Sequence, residues 1–265
     1  MTDRYAAMFR RLEARGEGAL IPFVTLGDPD LPGSRQSLEA LVAHGIDAIE
    51  LGTPFSDPVA DGPVVQAAAA RALAAGARVD DCLDLVRGIR ERAPDLPIGL
   101  LVYANTVVAR GIAAFYREAA AVGVDSVLVA DLPLDEGSPF DVAAGASGVS
   151  PIYVAAPNLS EAQTRELARR TRGYTYVTSR SGVTGEHLGP DAPTLAHRIA
   201  TLTRVGAPPA VVGFGISTPA DVRGALAAGA RGVIVGSALV RRIHDEGTVP
   251  VEYLRELKAA TAGAS

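Results

Sequence analysis

The chain has 265 residues, 48% apolar and 21% charged, with a formal net charge of -5. That is an ordinary globular composition with material for a sizeable core, in one α/β barrel or in two domains. The acidic balance and the lack of a basic stripe argue against nucleic acid. The N-terminal run carries acidic residues and no long apolar core, which excludes a signal peptide or membrane span there and leads us to expect a cytoplasmic protein.

In chain order, a helix over Tyr5–Arg15 precedes the first strand, Leu20–Leu26. A Pro/Gly turn then leads to a helix over Ser34–Ala43, with Ser34 as its expected N-cap. Strand Ala48–Leu51 follows, then a helical run Asp80–Arg92 that holds the lone Cys82 as a buried small hydrophobe. Strand Ile98–Tyr103, helix Ile112–Val122 and strands Ser126–Ala130 and Pro151–Ala155 come next. Ser160–Thr171 opens with a Ser-Glu-Ala-Gln sequence that fits a capping box. Strands Tyr174–Thr178 and Ala210–Phe214 lead to helix Thr218–Ala228, which starts on a Thr-Pro cap and ends at Gly229. Strand Gly232–Val235 and a helix over Val251–Ala260 complete the chain.

Most of these eight strands are continuously apolar, as parallel strands covered by helices should be. Three helices run through a Gly-containing tail into the next strand, at Gly45, Gly123 and Gly229. That repeat marks one recurring turn with a left-handed glycine cap. The pattern predicts a single (β/α)8 TIM barrel spanning residues 1–265, with extra N- and C-terminal helices; an open doubly wound sheet is the alternative. In a barrel, function belongs where strands end and βα loops begin.

Three segments meet that positional test. In Ala48-Ile-Glu50-Leu-Gly52, Glu50 lies near the end of an apolar strand, where a carboxylate is costly unless paired or used. Desolvation would raise its pKa and suit it to general acid–base work; a structural Glu paired with an arginine or with backbone donors is the competing account. Asp61 follows in a Pro- and Gly-rich loop, where a carboxylate is as often a turn cap, and Asp57 reads mainly as a turn residue. The second segment runs from Tyr174 and Tyr176 at a strand's end through Thr184 and Gly185 to Pro190, a hydroxyl-rich loop that serves either as a lid or as plain surface. The third pairs Gly213-Phe214-Gly215 with Gly236-Ser237, glycines at two consecutive late strand ends before helices. Such ends let backbone N–H groups approach a phosphate, with a simple turn as the competitor.

Two residue counts exclude chemistries. Lys258, near the C-terminus, is the only lysine, so a Schiff-base mechanism has almost nowhere to sit. The four histidines, His44, His187, His197 and His244, are scattered, and no catalytic metal is expected.

The segments Pro22–Pro29, Glu50-Leu-Gly52 with Pro54–Pro58 and Ala60–Pro63, Gly123–Asp131, Ser179-Arg180 with Gly182–Gly185, and Gly213–Ser217 closely resemble the tryptophan synthase α subunit family across almost the whole chain. The resemblance implies reversible retro-aldol cleavage of indole-3-glycerol phosphate to indole and glyceraldehyde 3-phosphate. Glu50 matches the family's main acid/base, and Asp61 the carboxylate that faces the indole N–H. Phe23, Leu101, Leu128, Tyr176 and Phe214 should line the indole pocket. Gly185, Gly213, Gly215, Gly236 and Ser237 should hold the phosphate, and Thr184 should contact Asp61. The resemblance further implies no cofactor on this chain. The implied partner is a pyridoxal-phosphate β subunit in an α2β2 complex, facing the Asp57 loop and the segment after Tyr103-Ala-Asn105. The alternative activity is that of a stand-alone lyase releasing free indole.

Overall fold

Parallel strands alternate with helices along the whole chain in the computed structural model, which describes residues 3–178 and 192–263. The first half comprises α1 (Arg4–Glu13), β1 (Ala19–Thr25), α2 (Leu31–Ala43), β2 (Ile49–Gly52), α3 (Pro63–Ala74), α4 (Val79–Arg92), β3 (Ile98–Val102), α5 (Ala104–Arg110), α6 (Ile112–Ala121) and β4 (Ser126–Val129). The second half comprises α7 (Ser138–Ser147), β5 (Ser150–Ile152), β6 (Val154–Ala155), α8 (Glu161–Arg170), β7 (Thr175–Val177), α9 (Ala192–Arg204), β8 (Ala210–Val212), α10 (Pro219–Ala227), β9 (Gly232–Val235), α11 (Ser237–Glu246) and α12 (Val251–Ala259).

The strand order is β5-β4-β3-β2-β1-β9-β8-β7-β6. The first strand therefore pairs in parallel with the last, Ala19 opposite Gly232, as well as with β2. The two ends of that order, β5 and β6, are separated only by Tyr153. They are two halves of one stave, so nine hydrogen-bonded segments make eight staves and a (β/α)8 barrel. An open doubly wound sheet has no such cyclic order, and that alternative falls. Where the stave breaks, the Tyr153 hydroxyl donates to Asp141 at 2.7 Å, and the Arg170 guanidinium lies 5.1 Å from the Tyr153 ring centre.

Side chains alternate along each strand, and the alternation sorts them into two cores. Leu20, Val24, Ile49, Leu51, Leu100, Val102, Val127, Val177, Val212 and Val233 pack outward with the helices. Ile21, Phe23, Leu128, Ile152, Tyr174, Tyr176, Val211 and Ile234 pack in a second cluster, inside the barrel. Both faces are buried, which is why the strands read as unbroken apolar runs; each such side chain stabilises by about 1.5–3 kcal/mol. The N-terminal helix α1 adds Tyr5, Met8, Phe9 and Leu12 to the inner cluster. The Tyr5 hydroxyl meets Ser126 Oγ at 2.8 Å, so α1 floors the barrel interior.

The expected local signals have physical counterparts. Gly45, Gly123 and Gly229 all hold positive φ, at 70°, 92° and 98°. Ser160 with Gln163 and Thr218 with Asp221 both form reciprocal capping boxes. The expected Ser34 N-cap is corrected: helix α2 begins earlier, capped by Asp30, whose side chain accepts from Gly33 N at 2.8 Å. Pro32 fits the first turn of that helix, where its missing N–H costs nothing. Ser34 instead turns inward, and its hydroxyl accepts from Gly27 N at 2.9 Å.

Lys258 ties the last helix to the barrel. Its ammonium contacts Asp47 Oδ2 and Glu17 Oε2, each at 2.9 Å. Asp47 Oδ2 also accepts from Leu20 N at 3.0 Å at the start of β1, and its side chain is only 7% exposed. Removing the cation would leave a buried carboxylate with one backbone donor. We expect Lys258→Met to lower unfolding free energy by about 1–3 kcal/mol. A chemical-denaturation midpoint indistinguishable from wild type would contradict this account.

Candidate active site

Glu50 projects into the barrel from β2, in register with Phe23 on β1 and Gly99 on β3. It is 2% exposed. Its Oε1 accepts from the Tyr174 hydroxyl at 2.8 Å, while Oε2 is buried with no hydrogen-bond partner among the described residues. Burial raises its pKa to about 7; the Tyr174 hydrogen bond opposes that shift and the nearby Asp61 charge adds to it. The structural account of Glu50 called for an arginine or backbone donors; among the described residues its side-chain partner is the Tyr174 hydroxyl, neither of these.

Asp61 comes from the loop between β2 and α3 and is also buried. Its Oδ2 accepts from the Tyr103 hydroxyl at 2.9 Å, and that hydroxyl oxygen accepts from Ala60 N at 3.1 Å. Phe55 stacks on the Tyr103 ring with centroids 5.0 Å apart. The loop is closed further by Asp61 N donating to Pro58 O at 3.0 Å and by Gln66 donating to Asp61 O at 2.8 Å. Burial raises the Asp61 pKa to about 6, against the lowering effect of Tyr103. Two carboxylates thus sit in one cleft with different proton affinities, the pattern from which acid and base roles separate.

Glu50 and Asp61 share a cleft of about 800 Å³, part of it open to solvent, with Phe23, Leu101, Tyr176 and Phe214. Gly213, Gly215, Gly236 and Ser237 line the same cleft. The strand-end glycines and the two carboxylates, far apart in sequence, are therefore brought together. Leu128 is buried in the inner core with Phe23 and Tyr176 but is not among the cleft-lining residues. Thr184 and Gly185 lie outside the described residues. Gly213 has a packing reason of its own: a Cβ there would lie 2.0 Å from Tyr176 atoms. The Tyr176 ring meets Phe214 edge-on at 5.9 Å, forming an aromatic wall. Among the described residues no cluster of three metal-ligating side chains occurs. Asp57 takes the local role expected of it, accepting from Ser56 Oγ at 2.5 Å.

Sequence reasoning missed two tyrosines that hold the carboxylates, Tyr174 and Tyr103. Each stands at the edge of an apolar strand, which marks it as core. Only the barrel's closure brings Tyr174 to Glu50, 124 positions away in the chain. Arg241 on α11 also lines the cleft and had no distinguishing signal among the chain's many arginines.

Known proteins match the chain over nearly its full length. The family profile of the tryptophan synthase alpha chain matches residues 9–264. The tryptophan synthase alpha chain of Edwardsiella ictaluri is 51% identical over 256 residues, covering 97% of this chain and 95% of that one. That of Cronobacter sakazakii is 49% identical over 269 residues, covering 99% and 100%. Among solved structures, tryptophan synthase from Mycobacterium tuberculosis superposes with a TM-score of 0.90 at 31% identity, covering 98% of this chain and 99% of that one. The tryptophan synthase complex from Pyrococcus furiosus gives 0.80 at 35% identity, covering 91% and 98%. Matched by that profile over nearly its full length and by curated relatives at about half identity, this barrel, with its two buried carboxylates beside glycine-rich late strand ends, belongs to the tryptophan synthase alpha chain family.

Proposed function

We propose that this chain is a lyase that cleaves indole-3-glycerol phosphate reversibly to indole and glyceraldehyde 3-phosphate, as the α subunit of a tryptophan synthase. The observation that carries the reading is Glu50: a carboxyl with no cation partner among the described residues, buried in the cleft and holding its proton up to about pH 7.

The chemistry needs a proton at indole C3 and the removal of a proton from the side-chain hydroxyl. In the first step protonated Glu50 delivers its proton to C3, which leaves positive charge on the ring nitrogen. Asp61, ionised above about pH 6, lies in the same cleft and stabilises that charge as a preplaced anion. In the second step the Glu50 carboxylate takes the hydroxyl proton. The carbon–carbon bond then breaks, its electron pair returns to the ring, and the hydroxyl carbon becomes the aldehyde. Glu50 ends protonated, so the cycle closes without an external acid. No lysine or metal is needed. Phe23, Leu101, Tyr176 and Phe214 supply the apolar walls for the indole ring, with Leu128 packed behind them. The glycine-lined strand ends and Ser237 receive the phosphate.

The partner is a tryptophan synthase β subunit, which carries the pyridoxal phosphate, in an α2β2 assembly. Support comes from two exposed apolar residues at the barrel's loop face: Val59 in the Asp61 loop, 71% exposed, and Val108 on α5, 54% exposed. Both sit in segments joined through Tyr103, which bonds Asp61 and immediately precedes α5. Docking there would bear directly on the second carboxylate.

Indole release should be slow for the chain alone and rise strongly, by about tenfold or more, when a β subunit is added. High turnover without the partner would instead identify a stand-alone lyase. No cleavage in either condition would defeat the enzyme assignment.

A further inference from the structure

The cleft has an electrostatic asymmetry. Its two acids, Glu50 and Asp61, enter from β2 and the loop behind it. Its glycine-lined end is built from the ends of β8 and β9 and the start of α11. The groups named there for the phosphate, Gly213, Gly215, Gly236 and Ser237, are all neutral. A phosphate monoester near neutral pH carries roughly -1.5 to -2 charges, and the Asp61 carboxylate in the same cleft, ionised above about pH 6, opposes its entry.

Among the described residues lining the cleft, one is a cation: Arg241. It lies four residues after Ser237 on α11, so the two side chains share a helix face one turn apart. Its neighbour Arg242 is engaged, facing Glu246 at 3.7 Å and lying 4.3 Å from the Tyr253 ring centre. Among the described residues Arg241 has no ion pair, hydrogen bond or ring contact, and it is solvent-exposed. An arginine with no partner among the described residues, at the rim of an anion pocket, is available to its ligand, and its fork matches phosphate oxygens.

We propose that Arg241 supplies the positive charge of the phosphate end of the cleft and sets the preference for phosphorylated substrates. This assignment rests on the proposed reading of the cleft, but its test is separable from it. Calorimetry on the full chain with glycerol 3-phosphate, and separately with indole, measures the two ends of the cleft independently. Arg241→Gln is expected to weaken glycerol 3-phosphate binding about tenfold, with indole affinity within about twofold of wild type. Arg241→Lys should recover most of the loss. In the complex with the β subunit, the same change should act mainly through KM, with a smaller effect on kcat. Wild-type affinity for glycerol 3-phosphate should fall more steeply with added salt than that of the Gln variant.

Equal glycerol 3-phosphate affinities for wild type and Arg241→Gln would overturn the assignment while leaving the lyase reading intact. A tenfold loss of phosphate affinity in a chain that cleaves no indole-3-glycerol phosphate would uphold Arg241 and defeat the lyase reading. A wild-type chain that binds no glycerol 3-phosphate overturns the Arg241 assignment, and the lyase reading is decided separately by cleavage of indole-3-glycerol phosphate.

Discussion

Glu50→Gln is expected to slow cleavage of indole-3-glycerol phosphate by about 10³- to 10⁴-fold while leaving the barrel folded, because one carboxyl performs both proton transfers. Glutamine keeps the volume of the side chain, and its amide oxygen can still accept from Tyr174, so the 2.8 Å contact survives. What disappears is the exchangeable proton. The measurement is indole release in the presence of the β subunit; a rate within tenfold of wild type would remove Glu50 from the mechanism.

The same substitution should stabilise the protein at alkaline pH. Glu50 has a folded-state pKa of about 7 against an ordinary value of 4.5, so the folded chain holds a proton that the unfolded chain has released. Below the unfolded value both states are neutral there, and wild type and variant should match. As pH rises through the interval up to about 7, wild type loses stability that the variant keeps, and above it the difference levels off. A shift of that size corresponds to about 3 kcal/mol at most. Matching denaturation midpoints at pH 5 and 8 would contradict the cause assigned to the shift, namely burial of the charge. Such a carboxyl, destabilising where it stands, is the kind of compromise that active sites carry.

Asp61→Asn is expected to lower turnover by about 10²- to 10³-fold, the usual scale for one preplaced electrostatic contact. Tyr103 can still donate to the asparagine oxygen, so position is retained and charge is lost. Wild-type kcat/KM should trace a narrow bell against pH. Its acid limb falls as Asp61 takes a proton below about 6, and its alkaline limb falls as Glu50 loses one above about 7. The asparagine variant should lose the acid limb and keep the alkaline one. A variant profile with both limbs in place would assign the acid limb to another group and take the charge-stabilising role from Asp61.

Several features are legible in the linear order because their causes are local. Gly45, Gly123 and Gly229 announce the same αβ turn since only glycine tolerates that backbone angle cheaply. Ser160 and Thr218 announce helix starts because a side chain three residues away completes the cap. The strands announce parallel pairing because both faces are buried. Glu50 stands out as a charge in such a strand. Other features have no local cause. Ser34 and Asp30 are both good caps, and the choice between them depended on which side chain the fold turned inward. The alanine-rich α3 shows little contrast between faces, and its 12 residues went without a sequence signal.

For this protein, then, the sequence by itself determined the barrel class, the strand-end position of Glu50 and the exclusion of lysine-based chemistry, since periodicity, turn chemistry and composition act over a few residues. Only the tertiary structure decided that Tyr174 would hold Glu50, that Tyr103 would hold Asp61, and that Arg241 would share their cleft. The first and last of those relations cross between distant strands, and the second joins the ends of neighbouring β2 and β3. Glu50 meets Tyr174 and Arg241 joins the cleft when β1 closes on β9, and the burial that lifts both carboxyl pKa values exists only once the ring is shut.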